Sequence, residues 1–250
     1  SIPTILLKKS TRKEAVCKVF EKVNTGGVSL TVFELLTATY AADSDEFNLR
    51  DDWREREKRL KEPQPEYYGN TKVLSKLQNT DFLQAVTLLA SYDRRAGSLR
   101  DGFLPEKSPP VTCKRKDILR LRLDEYQNWA DGATKGFEKA AKFLFNQKIF
   151  DARDLPYQTQ VVPLSVILFL LGNEMDKEGV KNKVSKWYWC GVLGELYGSA
   201  IETRFAKDVV EVIDSCRCGD RCPSIYPGGL AQYEQDWESN RLLREYKRDW

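Results

Sequence analysis

The stretch VFEKVNTGGVSLTVFELLTATY, residues 19–40, decides how the chain is read, because it sets a Gly-Gly pair between two helical patterns. Upstream, Thr11 and Glu14 form a T-x-x-E capping box, and Ala15, Val16, Val19, Phe20 and Val23 then recur at helical spacing. Asn24, Thr25, Gly26 and Gly27 supply residues that tolerate a sharp turn. Thr31 and Glu34 make a second capping box, and Leu35, Leu36 and Ala38 continue a second helix. The spacing therefore predicts helix, glycine turn, helix. A phosphate could sit on such a turn, since the first N–H groups of a helix are unpaired and point outward. The spacing matches neither a P-loop nor a dinucleotide fingerprint, and the preceding element is helical rather than a strand. The residues alone favour a turn between packed helices.

The same periodicity continues outward. SIPTILLKK at the start is the one β-prone segment, expected as an edge strand. NLRDDWREREKRLKE, residues 48–62, is acidic first and basic last, as a helix dipole prefers. It reads as a solvated helix stopped by Pro63 and Pro65. DFLQAVTLLASYDRR, residues 81–95, is an amphipathic helix expected to end before Gly97, with SLRDGFLPEKSPP as the following loop. Lys116 to Lys148 carries helix formers interrupted at Gly132 and Gly136, expected as two nearly continuous helices. VVPLSVILFLL, residues 161–171, is far below the roughly 18 apolar residues of a membrane span and reads as a buried core helix. Ser199 and Glu202 form a third capping box, before Phe205, Val209, Val212 and Ile213 on one face. The last forty residues read as irregular, ending in a charged helix. The fold class is mainly α: an irregular multi-helix bundle with at most a short N-terminal strand or hairpin.

Composition excludes more than it assigns. Forty Lys+Arg against 37 Asp+Glu leave a net charge of +3, so any nucleic-acid face must come from local clustering. With no histidine in 250 residues, a Ser-His-Asp triad, a Cys-His pair, a two-His zinc site and a His-metal nuclease finger are all excluded within this chain. The chain opens on Ser1 rather than Met and is expected to be a piece of a longer protein. Six mostly scattered cysteines and no apolar leader fit a reducing cytoplasm.

Three further clusters bear on function. CKRKDILRLR carries Lys114, Arg115, Lys116 and Arg120, and Arg94 and Arg95 lie upstream; these six are the candidate DNA-binding cations, with residues 116 and 120 expected on one helical face. A solvated helix surface is the plainer account of them. Cys216, Cys218 and Cys222 make a C-x-C-x3-C cluster that lacks the fourth ligand of a structural zinc site, so no metal is assigned. WYWC, residues 187–190, could stack bases, but aromatics at helical spacing are expected in the core.

FEKVNTGGVSLTVFELLTA, residues 20–38, resembles the GmrSD-type restriction endonuclease N-terminal domain, also called domain of unknown function 262. Its F-x-x-x-N-x-x-G-x-x-L-x-x-x-E-L signature is matched by Phe20, Asn24, Gly27, Leu30, Glu34 and Leu35. LPYQTQVVPLSVIL and KWYWCGVLGELYGSAIETRFAKDV are similar to the helical region that follows in long members. The resemblance covers most of residues 1–215 and departs beyond Cys216. It implies residues 1–110 as the C-terminal part of a ParB-like domain and 111–250 as a helical domain with an irregular tail. Family members carry an Asp-Gly-Gln-Gln-Arg motif linked to nucleotide hydrolysis and often an HNH nuclease domain; neither occurs here. The resemblance thus implies no catalytic residue and no cofactor in this chain, with an NTP and a divalent metal belonging to the intact protein. Asn24, Thr25, Gly26, Gly27 and Glu34 would brace that protein's nucleotide pocket. DNA, the missing ParB-like and HNH segments, or a partner subunit would be its partners, and no membrane is implied. The alternative function is a non-enzymatic interaction or scaffold module.

Overall fold

In the computed structural model, residues 30–62, 71–198 and 201–218 are described. The expected N-terminal strand, the first helix with its Thr11–Glu14 box, the Asn24–Gly27 turn, Ser199 and the tail beyond residue 218 lie outside them. Eight α-helices follow in order among the described residues: α1 Val32–Asp43, α2 Leu49–Lys61, α3 Asn79–Arg100, α4 Arg115–Ile118, α5 Leu123–Asn146, α6 Val161–Leu171, α7 Glu178–Leu193 and α8 Ile201–Cys218. Short 3-10 turns at Gln158–Gln160 and Gly172–Asp176 flank α6. The β pairing recorded among the described residues is one isolated bridge between Lys72 and Asp151. The fold is mainly α, as the periodicity requires.

At the centre stands α6. Its residues are buried nearly all round, including Pro163, whose place in the first turn removes an N–H that has no helical partner anyway. Helix α5 lies against it at close range. A Cβ on Gly136 would meet the Ser165 backbone oxygen at 2.5 Å, and one on Gly132 would meet the Phe169 ring at 2.8 Å. These two glycines, four residues apart, make a flat strip on one face of α5, and α5 runs through them unbroken. The expected division into two helices is therefore corrected: the glycines serve the approach of α6, not a break.

Two further expectations change. Helix α3 continues through Gly97 to Arg100, and the turn glycine is Gly102, at φ +86°. There the Phe103 N–H reaches the Ser98 carbonyl at 3.1 Å and the Gly102 N–H the Leu99 carbonyl at 3.1 Å, which satisfies two carbonyls left over at the helix end. Helix α2 is more than a solvated face, because Leu49, Trp53 and Leu60 are buried. Its Arg56 donates to Asp52 at 2.9 Å, to Asp131 on α5 at 2.7 Å and to Thr134 Oγ1 at 2.8 Å. The Tyr126 hydroxyl of α5 donates to the same Asp52, so one carboxylate joins both helices. Around this polar seam Trp53, Phe82, Tyr126, Tyr40 and Phe137 pack ring to ring. Buried side chains from Val32 to Cys216 form one hydrophobic cluster, with contributions from both sides of residue 110. No helix among the described residues is long and apolar enough to cross a membrane.

Candidate nucleic-acid face

The segment 111–122 is held from beneath and charged on top. Val111, Cys113, Ile118 and Leu121 are buried, while Lys114, Arg115, Lys116 and Arg120 between them are exposed. Hydrogen bonds fix the backbone that carries these cations. The Thr112 N–H donates to Ser91 Oγ on α3 at 3.1 Å, Thr112 Oγ1 to the Asp117 carboxylate at 2.8 Å, and the buried Tyr40 hydroxyl of α1 to the Leu121 carbonyl at 3.0 Å. Burial pushes the Tyr40 pKa above its ordinary value, so this hydroxyl remains a donor. Arg115 Nη2 lies 3.5 Å from the Leu30 carbonyl, just before the start of α1.

Helix α4 is a single turn that stops at Ile118, and the next N–H groups bond three residues back, Arg120 to Asp117 and Leu121 to Ile118. Lys116 and Arg120 therefore do not share a helical face. The tight turns bring both Ile118 and Leu121 to the core, and this overrides helix continuation.

Arg94 and Arg95 have other engagements. Arg94 Nη1 donates to Glu125 at the start of α5. Arg95 Nη1 donates to the carbonyls of Pro105 at 3.1 Å and Pro109 at 3.3 Å, which clasps the proline loop to α3. Arg122, the last residue of the basic stretch read from the sequence, is also exposed and pairs with Asp124 at 2.6 Å.

Of the residues expected to brace a nucleotide pocket, Glu34 falls within the described part. Its carboxylate accepts the Thr31 N–H at 2.7 Å and the Thr31 hydroxyl at 3.1 Å, while the Glu34 N–H donates to Thr31 Oγ1 at 3.3 Å. The capping box read from the sequence is present. The backbone bond from Thr31, then its hydroxyl, hold the Glu34 pKa below the ordinary 4.5. A carboxylate with a lowered folded pKa contributes stability above its unfolded value, and that contribution is lost as pH falls through the folded value. The melting temperature of wild type should therefore exceed that of Glu34→Gln at about pH 7, and the gap should narrow as pH falls below the ordinary carboxylate value and through the lowered folded one. A gap that stays constant with pH would remove the carboxylate from the cap.

The other candidates resolve structurally. Trp187, Tyr188 and Cys190 of the WYWC stretch are buried in the core, and Trp189 is half-buried, with its Nε1 donating to Gln147 at 2.8 Å. Cys216 is buried, which raises its thiol pKa to about 11, and Cys218 is exposed; Cys222 lies outside the described residues. No group of three or more His, Cys, Asp or Glu suited to a metal ion occurs among the described residues.

No protein-family profile matches the chain, and no solved structure matches it. It is similar to an uncharacterised protein of Methanocaldococcus jannaschii, at 23% identity over 239 residues that cover 90% of this chain and 35% of that protein. The chain spans about a third of the length of the curated relative it matches.

Proposed function

We propose that this chain is the helical, DNA-facing portion of a modification-dependent restriction endonuclease of phage defence, working in the cytoplasm and not catalytic by itself. Nucleotide hydrolysis and cleavage, with their NTP and divalent metal, belong to ParB-like and HNH segments of a longer protein or to a partner subunit. The observation that carries this reading is the exposed set Lys114, Arg115, Lys116 and Arg120 on a backbone pinned to α3 and α1. Phosphate contacts ask for exposed cations on a fixed backbone, and rigidity lowers the ordering cost of binding. Arg115 also reaches the Leu30 carbonyl, just before the start of α1.

A variant with all four residues changed to Gln should bind a duplex of about 20 base pairs tenfold or more weakly at low salt, measured by fluorescence anisotropy. Equal affinity in variant and wild type would refute the assignment. One observation favours the interaction-module alternative: Leu99, Phe103 and Leu104 at the end of α3 are 40%, 57% and 58% exposed, an apolar patch of the kind protein partners cover. Absence of any DNA binding by wild type would shift the reading to that alternative.

A further inference from the structure

A cleft of about 610 Å³ lies between α5 and α7, within the size range of small-molecule sites. Its two walls are helical stripes of matching pattern. Lys139, Lys142, Phe143 and Asn146 fall at i, i+3, i+4 and i+7 on α5. Glu178, Lys181, Asn182 and Ser185 repeat that spacing on α7. The floor is apolar, with Leu168 of α6 and Phe143 of α5 buried and Met175 half-buried. One end is tied shut where Gln147 Nε2 meets Ser185 Oγ at 3.4 Å and Gln147 Oε1 accepts the Trp189 N–H at 2.8 Å. At the other end the 3-10 turn Gly172–Asp176 leads into α7.

Charge and donors agree on the kind of ligand. Three lysines line the cleft against two carboxylates, Asp176 and Glu178, both near the start of α7. Lys181 is within 3.6 Å of Glu178, an exposed pair that constrains little, and Lys139 leans on the Leu168 carbonyl at 3.4 Å. No ion pair of Lys142 is recorded among the described residues, and its side chain is exposed. Cations on both walls, with Asn146 and Asn182 lining the same cleft, suit a multi-oxygen anion, and lysine serves phosphate as a point charge that needs no fixed plane. An apolar floor beneath leaves room for an organic body.

We infer that the α5–α7 cleft binds a small phosphorylated ligand, held by Lys142 and Lys181 from opposite walls, with amides of Asn146 and Asn182 beside the phosphate. None of these residues belongs to the DNA-facing set, so the inference stands apart from that reading. Calorimetric titration of the whole chain at low salt with inorganic pyrophosphate and with adenosine monophosphate tests it. Saturable binding of at least one is expected, falling about tenfold or more in the Lys142→Gln/Lys181→Gln variant while its melting temperature stays that of wild type. Tighter adenosine monophosphate would assign the site to a nucleotide, and tighter pyrophosphate to a free polyphosphate; both support it. Binding of neither, binding indifferent to the double substitution, or displacement of the anion by duplex DNA would overturn it.

Discussion

Gly136→Ala is expected to lower the melting temperature by about 2–4 °C for each kcal/mol of overpacking, although alanine is the better helix former by about 1 kcal/mol. The Cβ would stand 2.5 Å from the Ser165 carbonyl oxygen, which is backbone of the central helix and cannot rotate away. Either α6 is pushed off α5 or both helices bend, and overpacking of this kind costs about 1–3 kcal/mol, against which the propensity gain is set. Gly132→Ala meets the tip of the Phe169 ring instead, at 2.8 Å, and a ring can swing, so its cost should be smaller. Gly179→Ala, with nothing within 4 Å of its Cβ, should not fall at all. The rank order 136, 132, 179 in thermal melts checks the account. Equal small effects at all three would mean that α5 and α6 do not approach through these glycines.

The second large effect concerns Trp187, whose side chain is fully buried within the core. Trp187→Ala should destabilise the chain by about 3–5 kcal/mol in denaturant unfolding, through lost burial and the cavity left behind. Its indole N–H has no hydrogen-bond partner among the described residues, so the ring is held there for its volume rather than its polar atom. Trp187→Phe should therefore cost clearly less, because it removes an unpaired donor along with part of the ring. If Trp187→Ala left stability unchanged and weakened binding of single-stranded nucleic acid, the stacking role set aside above would return.

The signals that were legible are local ones. Thr31 and Glu34 are three residues apart, and their bonds close within one turn, so the box could be read directly. The run from Val161 to Leu171 has no polar face to give to water and can only be central. What failed depended on partners distant in sequence. A glycine in a helical pattern signals a break and a close approach equally well, and the choice at Gly136 rests on Ser165, on another helix. Arg94 and Arg95 look like free cations until Glu125 and the carbonyls of Pro105 and Pro109 arrive beside them. The charged helix at 49–61 hides one buried tryptophan and an arginine whose acceptors lie partly on α5. The cleft shows the same limit: each wall is a readable stripe, but only the packing of α5 and α7 sets the stripes face to face.

The central claim, that Lys114, Arg115, Lys116 and Arg120 face a phosphate backbone, is tested most directly by the salt dependence of DNA binding. Each phosphate contact adds about 0.9 to the negative slope of log K against log salt, through release of condensed counterions. Wild type and the four-Gln variant should therefore differ in slope by about 3–4 if all four cations touch phosphates. Parallel lines, with the variant as salt-sensitive as wild type, would contradict it.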